Sequence, residues 1–177
     1  TFIAAPRRYG KSSLCERALN QALLPMSKTD LHVATSDKGI ERLILKAIIT
    51  LIGQTAGAVD KTIQSLKYAF HNLKPKFSLE AAGVMSLELE PIADASVAET
   101  LREAILLLDR LLIAKKQRAI LWLDEFQRIA EVAPDLGLEG GIRSAAQETQ
   151  HLALLFSGSN RHLIESIFQD EGRPLYK

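Results

Sequence analysis

The chain has 177 residues, of which 47% are hydrophobic and 24% charged, and this balance fits one globular domain and excludes intrinsic disorder. A formal net charge of +1 excludes a global field that would attract nucleic acid or an anionic membrane. No apolar run reaches the roughly 18–20 residues that span a bilayer. The single cysteine excludes an intramolecular disulfide, so we expect a cytoplasmic protein with no membrane partner. Because the chain opens on Thr1 and stops at Lys177 without a closing element, we expect residues 1–177 to be one core domain cut from a longer protein.

Apolar runs and helical periodicities alternate along the chain. The elements that this pattern predicts are, in order, a strand over Thr1–Ala5, a helix over Lys11–Leu24, a strand over Leu31–Thr35, a helix capped by Ser36 or Asp37 with apolar positions from Ile40 to Ile52, a helix over Val59–Leu73, a helix over Val97–Ala114, a strand over Ala119–Leu123, a helix over Gly140–Gln150, a strand over Leu152–Phe156 and a helix over His162–Phe168. Such alternation predicts a three-layer α/β fold, with a parallel sheet covered by helices. Phe77–Pro91 alternates apolar and polar residues around Gly83 and predicts a β-hairpin insertion near residues 77–91.

A glycine-lysine-serine loop follows the first predicted strand and opens the first helix. It matches the phosphate-loop pattern G-x-x-x-x-G-K-[ST], except that Ala5 replaces the first glycine. Inward backbone N–H groups and the positive end of a helix favour phosphate in such a loop. The alternative is a cationic turn at a helix start. The residues that we predict to bind nucleotide here are Pro6, Arg7, Arg8, Tyr9, Gly10, Lys11, Ser12 and Ser13.

The last four positions of this loop have distinct expected roles. Gly10 lets the backbone approach the phosphate, and Lys11 reaches the β- and γ-phosphates of ATP. The Ser12 hydroxyl completes the Mg²⁺ shell, and Ser13 bonds the α-phosphate. Ala5 costs about 1 kcal/mol if its position needs a positive φ and is nearly silent if it does not.

Two carboxylates come directly after the apolar run Ala119–Leu123. A buried parallel strand presents its carboxyl end to the crevice where ligands bind. We therefore expect Asp124 to hold Mg²⁺ opposite Ser12, and Glu125 to act as general base on the attacking water, assisted by Gln127. The alternative is an acidic N-cap of a helix.

A second apolar run ends in Ser157-Gly158-Ser159-Asn160. Either Ser159 or Asn160 contacts the γ-phosphate or the catalytic water, or these residues only form a turn, and both interpretations stay open. Phosphoryl transfer also gains from an arginine that neutralises developing charge. The arginines that remain candidates, none singled out by spacing, are Arg143, Arg161 and Arg173.

With these motifs placed, the chain resembles the archaeal-type predicted ATPases, P-loop proteins close to the AAA+ and STAND groups. The resemblance implies that the Ser-Gly-Ser-Asn strand lies between the loop strand and the acidic strand. It also implies a sensor position at Ser159 or Asn160. The segments that carry the resemblance are Ala-Pro-Arg-Arg-Tyr-Gly-Lys-Ser-Ser (5–13), Leu-Trp-Leu-Asp-Glu-Phe-Gln (121–127), Phe-Ser-Gly-Ser-Asn-Arg-His (156–162) and Arg-Pro-Leu-Tyr (173–176).

The same resemblance implies an activity. Lys11 and Ser12 match the Walker A residues. Asp124 and Glu125 match Walker B, in which the position of Glu125 is the usual catalytic carboxylate. We expect Mg²⁺-dependent ATP hydrolysis coupled to conformational change, with a non-hydrolysing, nucleotide-gated interaction module as the alternative. A small-molecule kinase is less favoured because no acceptor site is evident. A protein or DNA partner bound through C-terminal regions and a homo-oligomer both stay open.

Overall fold

The computed structural model describes residues 2–4, 10–56, 73–79, 85–92 and 95–176. The elements in these ranges are, in chain order, β1 (Phe2–Ala4), α1 (Lys11–Ala22), β2 (Met26–Asp30), a 3₁₀ turn (Leu31–Val33), α2 (Asp37–Ala56), β3 (Leu73–Leu79), β4 (Met85–Pro91), α3 (Val97–Ala114), β5 (Ala119–Asp124), α4 (Arg128–Val132), α5 (Gly137–Glu148), β6 (Leu152–Gly158) and α6 (Arg161–Gln169). No helix in these ranges is long and apolar enough to cross a membrane.

Four of the described strands form one parallel sheet in the order β1-β6-β5-β2. This arrangement confirms the predicted α/β fold, and β6 lies between β1 and β5 as the resemblance implied. Leu123 pairs with Phe156, and Asp30 of β2 pairs with Asp124. The carboxyl ends of β5, β6 and β2 therefore meet at one edge of the sheet.

Alternate residues of β5 pack into two separate clusters, because successive side chains of a strand point to opposite faces. Ile120 and Trp122 pack with Cys15 of α1 on one face. Leu121 and Leu123 join the larger core on the other face, where α2 and α3 pack. All six residues of β5 are buried, so this strand lies at the centre of the three layers.

The second strand lies five residues earlier than the sequence predicts. Met26–Asp30 is the strand, and Leu31–Val33, which was expected to begin it, forms a 3₁₀ turn. Asp30 caps this turn by accepting a hydrogen bond from the His32 N–H at 2.9 Å. The expectation was wrong because Met26–Asp30 is largely polar and lacks the apolar run by which a buried strand is recognised. This strand pairs only with β5 among the described strands, and it buries hydroxyl side chains rather than large apolar ones.

Other bounds differ by smaller amounts. The first helix ends at Ala22, before Leu23 adopts φ +52, rather than at Leu24. The Ser36 hydroxyl accepts from the Gly39 N–H at 3.1 Å, as an N-cap does. The hairpin is confirmed, although its first strand begins at Leu73 rather than Phe77. The helix predicted over Val59–Leu73 falls outside the described residues, apart from Leu73 itself.

The later helices and strands keep their predicted order, and most of their ends shift by one to three residues. The helix over Val97–Ala114 is confirmed at both bounds. The helix predicted from Gly140 begins three residues earlier, at Gly137, and ends at Glu148. The last strand continues from Phe156 to Gly158, so it carries two residues of the Ser-Gly-Ser-Asn segment into the sheet.

A buried carboxylate fastens α3 to the start of β6. Asp109 is 4% exposed and accepts hydrogen bonds from three consecutive backbone N–H groups. The donors are Gln150 at 3.1 Å, His151 at 2.7 Å and Leu152 at 2.8 Å. Hydrogen bonds to a charged acceptor are stronger than neutral ones, so this contact helps to set where β6 begins.

Replacing Asp109 by alanine should lower the free energy of unfolding by about 3 kcal/mol, because the charged acceptor of three backbone N–H groups is lost and the N–H of Leu152 is buried. Asp109→Asn should lose less, since its amide oxygen still accepts. Urea denaturation followed by circular dichroism measures both. The control is Glu99→Ala, an exposed site on the same helix. An Asp109→Ala loss no larger than that of the control would contradict this role.

Candidate functional site

The start of α1 faces the carboxyl end of β5. Gly10 has φ +72, a conformation that favours glycine, and its carbonyl accepts the first helical hydrogen bond, from the Leu14 N–H at 2.8 Å. Lys11 and Ser12 therefore occupy the first turn of the helix, where backbone N–H groups have no partners within the helix. These two residues and Gly10 belong to the segment that the sequence predicts to bind phosphate.

The Asp124 carboxylate is the meeting point of this site. Its Oδ1 lies 3.5 Å from the Lys11 Nζ and accepts a hydrogen bond of 2.5 Å from the Ser157 hydroxyl. Its Oδ2 accepts a hydrogen bond of 3.4 Å from the Ser12 hydroxyl. Asp124 is buried, so these partners offset the cost of removing its charge from water.

A second lysine, which the sequence analysis did not identify, also contacts Asp124. The Lys28 Nζ lies 3.2 Å from Asp124 Oδ2 and 3.4 Å from Glu16 Oε1. It also lies 4.2 Å from the centroid of the Trp122 ring. Lys28 lies opposite Trp122 in the sheet register. Because the second strand was predicted five residues too late, no sequence pattern indicated this contact.

Trp122 supports the site through its ring edge as well as its face. Its Nε1–H donates to the Ser157 hydroxyl at 2.7 Å, and that hydroxyl donates to Asp124. Because a hydroxyl has one proton, accepting from Trp122 leaves that proton for the carboxylate. The fully buried Trp122 thus fixes the direction in which Ser157 donates.

The surroundings of Asp124 keep it ionised. Burial alone would raise its pKa, but the hydrogen bond from Ser157 and the charges of Lys11 and Lys28 outweigh burial and hold the pKa below its ordinary value. Burial would likewise lower the pKa of Lys28, yet the hydrogen bonds and charges of Asp124 and Glu16 raise it. Asp124 and Lys28 are therefore both charged near neutral pH.

Glu125 has an unusual backbone conformation. Its φ is +53, which is uncommon for a residue other than glycine, and the Phe126 N–H that follows donates to the Ser157 carbonyl at 2.9 Å. That bond ties the turn after β5 to the neighbouring strand. Strained conformations of this kind concentrate at functional sites.

Three donors converge on one carboxylate oxygen of Glu125. Oε2 accepts from the Gln127 Nε2 at 2.5 Å, from the Ser159 hydroxyl at 2.7 Å and from the Ser159 N–H at 3.3 Å. Burial alone would raise the pKa of Glu125, but these hydrogen bonds outweigh the effect of burial and hold the pKa below its ordinary value. Oε1 has no donor among the described residues, so it is the oxygen free to accept from water or substrate.

Gly158 makes room for this arrangement. A Cβ at this position would overlap the carboxamide of Gln127 and approach Ile164 Cδ1 to 2.7 Å. The missing side chain therefore lets Gln127 pack beside β6 and donate to Glu125. The Gln127 Oε1 is buried without a hydrogen-bond partner among the described residues.

The remaining predicted site residues either lie outside the described ranges or are exposed. Residues 5–9, which include Ala5, Pro6, Arg7, Arg8 and Tyr9, lie outside the described ranges. Ser13 is exposed on α1. Asn160 is exposed, and its Oδ1 caps α6 by accepting from the Leu163 N–H at 3.3 Å. Its role beside the γ-phosphate stays a prediction, as do the ligand-binding roles of the whole set.

Each candidate arginine already has a partner. Arg143 donates to the Tyr176 carbonyl at 2.7 Å, and Arg161 pairs with Glu165 at 2.7 Å along α6. Arg173 pairs with the fully buried Glu139. These contacts give all three a structural function, and none of them contacts Asp124 or Glu125.

Comparison with solved structures finds a Walker-type ATPase from Pyrococcus abyssi with a TM-score of 0.62. The two chains share 18% sequence identity over 99% of this chain and 45% of the Pyrococcus chain, so this chain spans less than half of that protein. The fold is that of a P-loop NTPase core. No protein-family model and no curated protein matches the sequence.

The described residues fit a nucleotide and a magnesium ion. The Lys11 Nζ is buried and, beyond its 3.5 Å ion pair with Asp124, has no hydrogen-bond acceptor among them. A buried ammonium with unused donors suits a phosphate oxygen. The Ser12 hydroxyl and the Asp124 carboxylate are oxygen ligands of the kind that Mg²⁺ takes, and they already lie within 3.4 Å of each other.

The lowered pKa of Asp124 predicts how stability depends on pH. The folded state favours the ionised form, so its contribution is fully present above the pKa of the unfolded chain, about 3.9, and is lost as pH falls through the folded pKa. Asp124→Asn does not titrate. The stability difference between wild type and Asp124→Asn should therefore stay constant from pH 7 to about pH 5 and shrink steadily below that, as measured by urea denaturation in EDTA. A difference that does not change with pH would refute the assignment.

Proposed function

We propose that this chain binds Mg²⁺-ATP and hydrolyses it to ADP and phosphate. The observation that carries the proposal is the convergence of four side chains at the carboxyl end of β5: Lys11, Ser12, Asp124 and Glu125. This location is where open α/β sheets bind ligands, and the pairing of the lysine and serine with the first carboxylate matches the division of roles in phosphate loops.

Binding would depend mainly on Lys11. Among the described residues its ammonium has one ion pair, with Asp124 at 3.5 Å, so exchanging that partner for a phosphate oxygen replaces one charged contact by another. The first-turn N–H groups of α1 and the positive φ of Gly10 would add backbone donors. The predicted contacts of Pro6, Arg7, Arg8, Tyr9 and Ser13 belong to the same proposal.

Ser12 and Asp124 would hold the magnesium ion. When bound, Mg²⁺ would neutralise charge on the phosphate oxygens during transfer. Ser157 and Trp122 keep the Asp124 carboxylate in a fixed orientation through the hydrogen bonds described above. That orientation would limit the cost of organising the ligand when the ion arrives.

Glu125 would accept a proton from the attacking water or orient it. Gln127 and the Ser159 hydroxyl hold its Oε2, which leaves Oε1 for the water. The lowered pKa ensures ionisation at neutral pH but makes the group a weak base. Proton transfer would then depend on close positioning rather than on basicity, and Ser159 would act as the sensor that couples Glu125 to β6.

The hydrogen bonds that Glu125 accepts also favour a second function. A carboxylate whose Oε2 already accepts three hydrogen bonds, and whose pKa is lowered, suits slow turnover. A non-hydrolysing module would bind nucleotide at Lys11 and change its contacts without cleaving it. Measuring turnover separates these two functions.

The type of ATPase, its coupling to conformational change, its location and its partner are proposed from the family resemblance rather than from the geometry of the site. We propose an ATPase of the AAA+/STAND type that couples hydrolysis to a conformational change and works in the cytoplasm. Its partner would be a protein or DNA bound through regions beyond this chain. Because Arg143, Arg161 and Arg173 all have partners, we propose that any catalytic arginine comes from another copy in a homo-oligomer.

Replacing Lys11 by alanine should weaken Mg²⁺-ATP binding by about 10- to 100-fold, the loss expected when one charge-assisted contact to phosphate is removed. Isothermal titration calorimetry measures the dissociation constant. The matched control is Lys46→Ala, which removes an exposed lysine of α2 and should leave the affinity unchanged. Equal affinity in wild type and Lys11→Ala would place the nucleotide elsewhere.

Replacing Glu125 by glutamine should reduce hydrolysis by about 100-fold or more and leave the affinity for Mg²⁺-ATP nearly unchanged, because the amide keeps an acceptor but cannot take a proton. Phosphate release measures turnover, with Glu99→Gln as the exposed control. Tight binding with no turnover in the wild type would support the non-hydrolysing module instead. A fully active Glu125→Gln would exclude Glu125 as the base.

A further inference from the structure

Lys28 is a second cation on the carboxylate that would hold the metal. Its Nζ lies 3.2 Å from Asp124 Oδ2, and the Ser12 hydroxyl donates to that same oxygen at 3.4 Å. Oδ2 is therefore the oxygen that faces the other proposed metal ligand. A dication bound between Ser12 and Asp124 would have to share Oδ2 with an ammonium group or displace it, since like charges repel strongly at such distances.

Lys28 already has a second carboxylate within reach. Glu16 on α1 accepts from its Nζ at 3.4 Å, and the Glu16 side chain is 51% exposed. Because the Nζ already contacts both carboxylates, it can leave Asp124 and keep its contact with Glu16. Glu16 can therefore receive the charge that a metal ion would expel from Asp124.

Trp122 limits where Lys28 can go. The ammonium lies 4.2 Å from the centroid of the ring, whose π face attracts a cation. The ring is itself fixed by its hydrogen bond to Ser157. The lysine thus has three neighbours that favour its charge, of which only Asp124 is a proposed metal ligand.

We propose that Lys28 is a positioning residue that holds Asp124 when no metal ion is bound and moves to Glu16 when one binds. The inference rests on the proposed function, because it takes Asp124 as the metal ligand. It predicts competition: every cation that binds at Asp124 Oδ2 must do so against the Lys28 ammonium. Lys28 thus lowers the affinity for the free metal ion and keeps the carboxylate ordered in its absence.

The test uses Mn²⁺ alone, with no nucleotide, and counts free Mn²⁺ by electron paramagnetic resonance. Lys28→Met removes the charge but keeps an unbranched side chain over Trp122. It should bind Mn²⁺ about tenfold more tightly than wild type, the effect of about 1.4 kcal/mol of lost repulsion. Lys28→Arg keeps the charge and should stay within about twofold of wild type. Lys38→Met, which removes an exposed lysine of α2, corrects for net charge.

A double-mutant cycle tests the movement to Glu16. Glu16→Gln should weaken Mn²⁺ binding about threefold in the wild type, because Lys28 then has only Asp124 as a carboxylate partner. In the Lys28→Met background the same change should have no effect. An equal effect in both backgrounds would mean that Glu16 acts through space on the metal, and the movement would be disproved. Thermal melts confirm that each variant is folded.

Three other results would overturn the inference. The first is a Lys28→Met affinity for Mn²⁺ that matches Lys38→Met, and the second is no detectable binding to Lys28→Met at millimolar Mn²⁺. The third is a loss of Mg²⁺-ATP affinity in Lys28→Met as large as in Lys11→Ala, which would make Lys28 a phosphate ligand. Failure of the proposed function is read separately, from Lys11→Ala and ATP, because the Mn²⁺ titrations contain no nucleotide.

Discussion

The buried Asp124 carboxylate is the constraint on which the rest of the site depends. A charge removed from water must be paired and hydrogen-bonded, or its group becomes neutral. The partners of Asp124 come from three different elements: Lys11 from α1, Lys28 from β2 and Ser157 from β6. Its charge therefore fixes a helix and two strands around the end of β5. The same contacts place the Lys11 ammonium, which has no hydrogen-bond acceptor among the described residues, beside the Asp124 carboxylate.

The second carboxylate is positioned by backbone geometry rather than by charge. β5 ends at Asp124, and the chain turns away at once through the positive φ of Glu125. The hydrogen bond from the Phe126 N–H to the Ser157 carbonyl secures that turn. As a result, Glu125 reaches across to Ser159 beyond the end of β6 instead of continuing the strand. Two adjacent residues thus take different roles, because one belongs to the sheet and the other to the strained turn that leaves it.

The parts of the site that could be predicted from sequence are those whose signal is local. Lys11 and Ser12 follow a strand and open a helix, and Asp124 ends a wholly apolar run, so short segments located them. Lys28 gave no such signal: Met26–Asp30 is a polar strand at the edge of the described sheet, and its importance depends on pairing with β5 almost a hundred residues later. The same limit applies to the fold, where buried apolar strands were placed well and this one was not.

Two lysines on one carboxylate give the site a distinctive charge balance. Lys11 and Lys28 together bring two positive charges to Asp124, the same charge that a magnesium ion would bring. When Mg²⁺-ATP binds as proposed, Lys11 transfers from Oδ1 to phosphate and Lys28 from Oδ2 to Glu16, so Asp124 exchanges both ion pairs for its contact with the metal. Binding of nucleotide frees one lysine and binding of metal frees the other. Because both act on the same carboxylate, each ligand should assist the other, and linkage requires the effect to be equal in both directions. A site with only Lys11 on Asp124 would keep this coupling but would lose the competition of Lys28 with the metal at Oδ2.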